Sequence, residues 1–336
     1  MQGSPLVSRR LPSLSRGIVI SWIAVLFLAA FLPFTPPPHR ESACCEPPPP
    51  CVAAVLAEFV KMHKTSEEIL KAVEERCKKG EGEELADQPA GENWLMRHRG
   101  RLKEEAQRPG YKRIRTLFVA ADQMQDFSAR HAALRKILEE VADTPLLHHR
   151  TYIEIAHSAL RSGDPEVRKI AAEAAKEAHR EAQALPKEAR ADAYLVEAEL
   201  AFREGRLKQS LDDIASALEN DPSYLAAHLL RLSVIVTFSP QASETDKIRY
   251  LNQGIESAYF VRKLSKKNNT YVVDARSAIA EHPVQSDVAA LLQFYLGALA
   301  DDRDGARRAM KAFLDRCRSD LSCSENVRAR AQSLLE

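Results

Sequence analysis

The sequence predicts an all-α protein: an α-solenoid of stacked helical hairpins, set behind an N-terminal apolar helix and a proline-rich linker. Three observations predict it. Among the 336 residues, aromatic side chains make up only 6% and glycines number 12, while Ala, Leu, Glu, Arg and Lys dominate, a composition of helix formers. Apolar residues, 45% of the chain, recur at three- and four-residue steps through most of it. A turn-and-helix unit, FREGRLKQSLDDIASALENDPSY at residues 202–224, has its start, crossing points and stop all marked, and weaker copies flank it.

Residues 17–34, GIVISWIAVLFLAAFLPF, carry no charge. As a helix they span roughly 27 Å, close to the ~30 Å hydrocarbon thickness of a bilayer. Arg9, Arg10 and Arg16 precede this run and only Arg40, beside Glu41, follows it closely, so residues 1–16 are expected to stay in the cytoplasm and the bulk of the chain to face outward. A cleaved signal has an apolar core of about 7–15 residues and a small-x-small site. Here the core is longer and no good site follows, which favours an uncleaved anchor over a cleaved signal. Ser42-Ala43-Cys44 is a weak likeness of a lipoprotein processing site, with Glu41 where an aliphatic residue belongs. The expected location is a bacterial inner membrane, crossed once, with the folded part in the periplasm.

Residues 35–51 form a linker containing Pro36, Pro37, Pro38, Pro47, Pro48, Pro49 and Pro50, which cannot be helical because proline lacks the N–H and fixes φ. Extended as polyproline, it holds a domain up to ~50 Å from the membrane. Residues 52–110 read as a helical extension. Val52, Val55, Phe59, Met62, Ile69 and Val73 form one apolar helical stripe. The stripe suits a helix docked on the main domain; the sharper alternative is a short coiled coil through 52–77 that makes a homodimer, although Ser66 interrupts the repeat. Residues 78–93 are a polar loop, a short helix is expected around 94–105, and Arg108-Pro109-Gly110 ends it.

The repeat domain is expected over residues 111–336. Within 191–224, Ala198, Ser210 and Ala217 are small where two antiparallel helices must cross closely, and Tyr194, Leu207, Ile214 and Leu218 fill the space around the crossing. Gly205 can adopt the left-handed conformation that ends the first helix, and Asp221-Pro222 supplies an N-cap and first-turn proline for the next. Residues 114–147 place Leu117, Ala121, Met124, Ala133, Ile137 and Pro145 at matching positions. Residues 149–186 place Tyr152, Ala156, Ala159 and Gly163, with a second helix, 165–185, about one turn too long. Residues 225–267 begin with His228, Leu232 and Ile235, then insert FSPQASETD before a helix at 248–264. A last helical region holds Leu291, Leu292, Tyr295 and Leu296, then 306–317.

This spacing of bulky and small residues resembles the tetratricopeptide repeat, a 34-residue helical hairpin. The likeness is specific in 191–224, fair in two neighbours and weak elsewhere, and a generic α-solenoid gives the same period. The resemblance implies that the first helix of each hairpin lines a concave groove for a protein or peptide partner. By the family's groove positions, that groove would hold Arg150, Ile153, His157, Leu160 and Arg161 from one repeat, and Asp192, Leu195, Glu199, Phe202 and Arg203 from the next. Members that clamp a terminal carboxylate use Lys and Asn, with Asn at the ninth position. This chain has Asp122, His157, Glu199 and Ser233 there, which disfavours that clamp.

No bond-breaking chemistry is legible. None of the ten histidines sits in an H-E-x-x-H pattern, there is no C-x-x-C pair, no G-x-S-x-G elbow and no GxxxxGK[ST] loop, so no enzyme, cofactor or metal is expected. With 48 basic and 47 acidic residues the chain has no global field to attract nucleic acid. The six cysteines, Cys44, Cys45, Cys51, Cys77, Cys317 and Cys323, suit an oxidising compartment, and Cys317 and Cys323 either staple a turn or remain free thiols. Asn268-Asn269-Thr270 is a formal glycosylation sequon, and Arg262, Lys263, Lys266 and Lys267 read as a solvated helix end. The expectation is a membrane-anchored scaffold that binds a protein partner. The alternatives are a structural subunit of a cell-envelope assembly, or the same domain released or lipidated after signal cleavage.

Overall fold

A computed structural model describes residues 51–62, 64–77, 103, 105, 107–108, 110–162, 164–265, 270–280, 286–318 and 323–336. The expected membrane helix at 17–34, most of the proline-rich linker, nearly all of the short helix at 94–105, Gly163 and the sequon asparagine lie outside them. Among the described residues there are fourteen α-helices and no strand. No described helix is long and apolar enough to cross a membrane.

The helices are α1 (Cys51–Lys61), α2 (Ser66–Cys77), α3 (Tyr111–Gln123), α4 (Phe127–Glu140), α5 (Pro145–Ser162), α6 (Pro165–Ala182), α7 (Lys187–Arg203), α8 (Leu207–Asn220), α9 (Leu225–Phe238), α10 (Glu244–Leu264), α11 (Thr270–Ala280), α12 (Asp287–Leu299), α13 (Arg303–Cys317) and α14 (Glu325–Leu335). From α3 to α10 each helix packs on the next, and the first helices of successive hairpins, α5, α7 and α9, also touch one another. Beyond α10 the alternation is lost, because α12 packs on α10, α11, α13 and α14 together.

Local chemistry accounts for the turns. Gly205, at φ 75°, ends the α7 turn in the left-handed region, and Gly110, at φ 89°, does the same before α3. Asp126, Asp164, Ser286 and Ser324 cap α4, α6, α12 and α14 through side-chain oxygens that accept first-turn N–H groups. Close crossings use small residues. A Cβ on Gly297 would stand 2.6 Å from Ala306 Cβ, and one on Gly254 would stand 2.7 Å from Leu292 Cδ2.

Five expectations need correction. Asp221-Pro222 does not cap α9, which starts at Leu225 after Tyr224 with no side-chain cap bond; Asp221 Oδ1 instead accepts Ser223 N–H at 3.0 Å. Arg262 is no solvated helix end, being 6% exposed and donating to Leu299 O at 2.9 Å. The stripe at 52–73 is two helices rather than one, because Thr65 and Glu68 cap each other: Thr65 N–H donates to Glu68 Oε2 at 2.8 Å and Glu68 N–H to Thr65 Oγ1 at 3.3 Å. The second helix of the fourth hairpin starts at Glu244 instead of 248, since Ser243 accepts from Asp246 N–H at 3.2 Å and recruits the end of the inserted segment into the helix. The long second helix of 149–186 stops at Ala182, yet its 18 residues still exceed the 14 of α8.

Separate cores result. Ile114, Leu134, Ile137, Ile153 and Ala178 belong to one, made by α3–α7. The largest runs from Leu195 through α8–α14, and it includes Val52, Leu56, Ile69 and Val73. Most of the apolar stripe of 52–77, the one assigned to a coiled coil in the homodimer alternative, therefore faces helices of its own chain, while Met62 is 53% exposed. Cys51 bridges Cys77, and Cys317 bridges Cys323 between α13 and α14.

Candidate functional site

The line of residues along α3, α5, α7 and α9 that the repeat resemblance singled out is where a partner was expected, and burial divides it in two. Ile153, Leu160 and Leu195 are only 1%, 1% and 5% exposed. They pack into the cores between neighbouring hairpins and present nothing to a ligand. Asp192 is also buried, and it accepts from Tyr224 Oη at 2.8 Å. The family's groove positions placed these residues on the partner face, but a helix flanked by two others has two inward flanks, and the repeat pattern cannot choose between them.

What remains accessible is polar apart from Phe202. Arg161 is exposed, and Arg150, His157, Glu199, Phe202 and Arg203 are half-buried. Most of them are engaged with one another. His157 Nδ1 lies 3.0 Å from Glu199 Oε2, joining α5 to α7, and Arg203 Nη2 donates to Glu199 Oε1 at 3.1 Å. Arg150 pairs with Glu154, which also receives Arg130 Nη2 at 3.3 Å, and Arg130 Nη2 lies 2.7 Å from Asp122 Oδ1. The line is therefore a ladder of alternating charges crossing three hairpins. Sequence reasoning missed Arg130 and Glu154. The i, i+4 spacing of Arg150 and Glu154 was the signal available.

The pairing decides the protonation of the acids. Burial alone would push the Glu199 carboxyl up, but the hydrogen bond and charge of His157, together with Arg203, outweigh it and hold the group at about 2. Glu154 is lowered in the same way: burial raises it, and Arg150, His157, Arg130 and Arg161 more than reverse that. Both stay ionised at neutral pH.

Two further histidine–carboxylate pairs stitch the other flank. His148 Nδ1 lies 2.7 Å from Glu181 Oε1, and His179 Nδ1 lies 3.1 Å from Glu197 Oε2. Burial raises both carboxyls above their usual range. Asp213, near Glu197, is pushed up to about 6, by burial first and then by that like charge. Among the described residues no three of His, Cys, Asp and Glu converge as metal ligands would.

Beside the end of the ladder, an open groove of about 530 Å³ begins at Gly205 and Arg206, with Leu207 and Lys208 from the first turn of α8 on one wall and Phe238 from α9 on the other. Phe202 and Phe238 both lie partly exposed against the largest core. No family model matches the chain, and neither a curated protein nor a solved structure matches it.

Proposed function

We propose that the protein is a membrane-anchored helical-repeat scaffold that binds a protein or peptide partner on the outer side of a bacterial inner membrane. The observation that carries this reading is the partly exposed pair Phe202 and Arg203, which end α7 just before Gly205, a lining residue of the open groove between α8 and α9. An aromatic and an arginine dominate binding energy when they lie centrally in a contact. The charge ladder beside them gives a partner both signs to read, and its pre-paired side chains lose little freedom on binding.

The placement rests on the uncharged run at 17–34 and on two disulfides, bonds that persist on the oxidising side of a membrane. The tetratricopeptide-like reading of α3–α10 rests on the successive hairpins and on small residues at their crossings.

The test is the double substitution Phe202→Ala with Arg203→Ala, read by thermal melting and by recovery of crosslinked partners from membranes. We expect partner recovery to fall by on the order of tenfold or more, as loss of one or two strong contacts implies, with melting little changed. Lost stability with partners retained makes the pair core and refutes the groove. A periplasm-dependent phosphatase fused after Pro50 should be active; an inactive fusion would refute the placement.

A further inference from the structure

Helices α1 and α2 come first among the described helices, yet they lie on the last ones. α1 packs on α10 and α14, far in sequence from α3. Three ties hold the hairpin there, and a fourth bond closes it on itself. Its apolar underside, Val52, Leu56, Ile69 and Val73, joins the same core as Tyr259 and Leu334. At the turn, Ser66 N–H and Oγ donate to Asp301 at 2.9 and 2.6 Å, and Arg262 Nη2 donates to Ser66 Oγ at 3.1 Å. Farther along α2, Lys263 Nζ lies 3.3 Å from Glu74 Oε1. At the open end, the Cys51–Cys77 bridge locks the two helices into one unit.

That bridge matters because the helices are short. With 11 and 12 residues, neither is stable alone in water, where about 12–15 residues are already marginal. The bridge removes the freedom of a segment whose ends are 26 positions apart. The two cysteines are also unequal: Cys51 is half-buried, whereas Cys77 is only 1% exposed.

We propose that α1–α2 is a redox-secured strap. Closed by Cys51–Cys77, it sheathes α10 and α14; opened by a dithiol reductant, it comes away and bares the Tyr259 face of α10. A thiolate of the reductant attacks Sγ of Cys51, and Cys77 leaves as a thiolate that takes up a proton. The second thiol of the reductant then displaces Cys51 from the mixed disulfide. The protein gains two thiols and the reductant ends as its own disulfide. This device does not depend on the partner groove.

Hydrogen exchange on the full-length protein in detergent micelles tests it, comparing oxidised protein, protein treated with a phosphine reductant, and the C51S/C77S variant. Amides of α1, α2 and residues 255–264 should exchange about tenfold faster or more in both opened forms, with α7 and α8 unchanged, as for a local opening unit. The C317S/C323S variant should keep the slow exchange over α1 and α2. Unchanged exchange there after reduction overturns the strap. So does an acceleration spread equally over α7 and α8, which is global unfolding. If C51S/C77S does not fold, the reduced wild-type protein carries the same comparison.

Discussion

Ser210 Oγ donates to the carbonyl oxygen of Ala198 at 2.8 Å, a bond that a helix crossing allows only when both side chains are small. Both residues are fully buried. The hydroxyl replaces a methyl-sized contact between α7 and α8 and finds its acceptor on the facing backbone, so nothing polar is stranded at the crossing. Ala198→Arg would drive a long charged side chain into that contact, and we expect a loss of several kcal/mol in thermal or urea unfolding of the whole chain. Ser210→Ala, which removes the bond but keeps the fit, should cost only about 1 kcal/mol. Comparable losses from the two would mean that the crossing is looser than described.

Acid should unfold the protein through two groups that the fold holds below their ordinary pKa. His228 donates Nε2–H to Pro222 O at 2.9 Å, stacks on Phe260 and receives Ser257 Oγ at Nδ1, an arrangement for the neutral ring. Burial, then the charge of Arg231, depress it to about 3. A group whose folded pKa is lowered contributes stability above its unfolded value, near 6.5 for histidine, and loses it as pH falls toward about 3. Glu199 adds a loss below about 4.5, continuing toward about 2. The melting temperature should therefore fall steadily from pH 6.5 to pH 4, as scanning calorimetry would show.

Asp213 works in the opposite sense. Raised to about 6, it contributes stability below its unfolded value and loses it as pH rises through 6. Asp213→Asn should thus raise stability at pH 7.5 and leave it unchanged at pH 4. Solvent around this half-exposed group limits the gain to about 1 kcal/mol. A gain of equal size at both pH values would show that the substitution acts through packing rather than charge.

Asp301 is the one non-glycine residue with a positive φ among the described residues, at 60°. It holds that conformation while accepting both Ser66 bonds. Asp301→Ala keeps the backbone strain and loses the acceptor, at an expected cost of about 2–3 kcal/mol. Asp301→Asn tolerates the left-handed region and keeps one acceptor, so it should cost less than half as much. Equal losses in denaturant titrations would place the effect in the charge alone.

The hairpin α7–α8 was legible because its signals are local: small residues at the crossing, a glycine at the turn and Asp221-Pro222 at the stop all lie within one repeat. The pairing of Cys317 with Cys323 stood open between a staple and free thiols, and it is a staple. The Cys51–Cys77 bridge and the docking of α1 were not legible, since both depend on a surface assembled by α10 and α14. The Thr65–Glu68 cap that divides α1 from α2 was written in the sequence and passed over in favour of the longer apolar stripe. In the candidate site, the positions carried over from the repeat pattern named Phe202, Arg203, His157 and Glu199, which are accessible, alongside Ile153, Leu160 and Leu195, which are not. Separating these groups needs the neighbouring helix, which no single repeat contains.

The tie between Ser66 and Asp301 spans 235 positions, and that separation sets an order of assembly during synthesis. As the chain leaves the ribosome, α3–α8 can build their local contacts hairpin by hairpin, the fast kind of folding. α1 and α2 emerge earlier but have no surface to settle on until α10 and α14 have been made. Through that interval their apolar undersides face water, and the Cys51–Cys77 bridge can already close. The first described helices to be translated are thus among the last to find their place, and during the wait their apolar undersides are a surface a chaperone could cover.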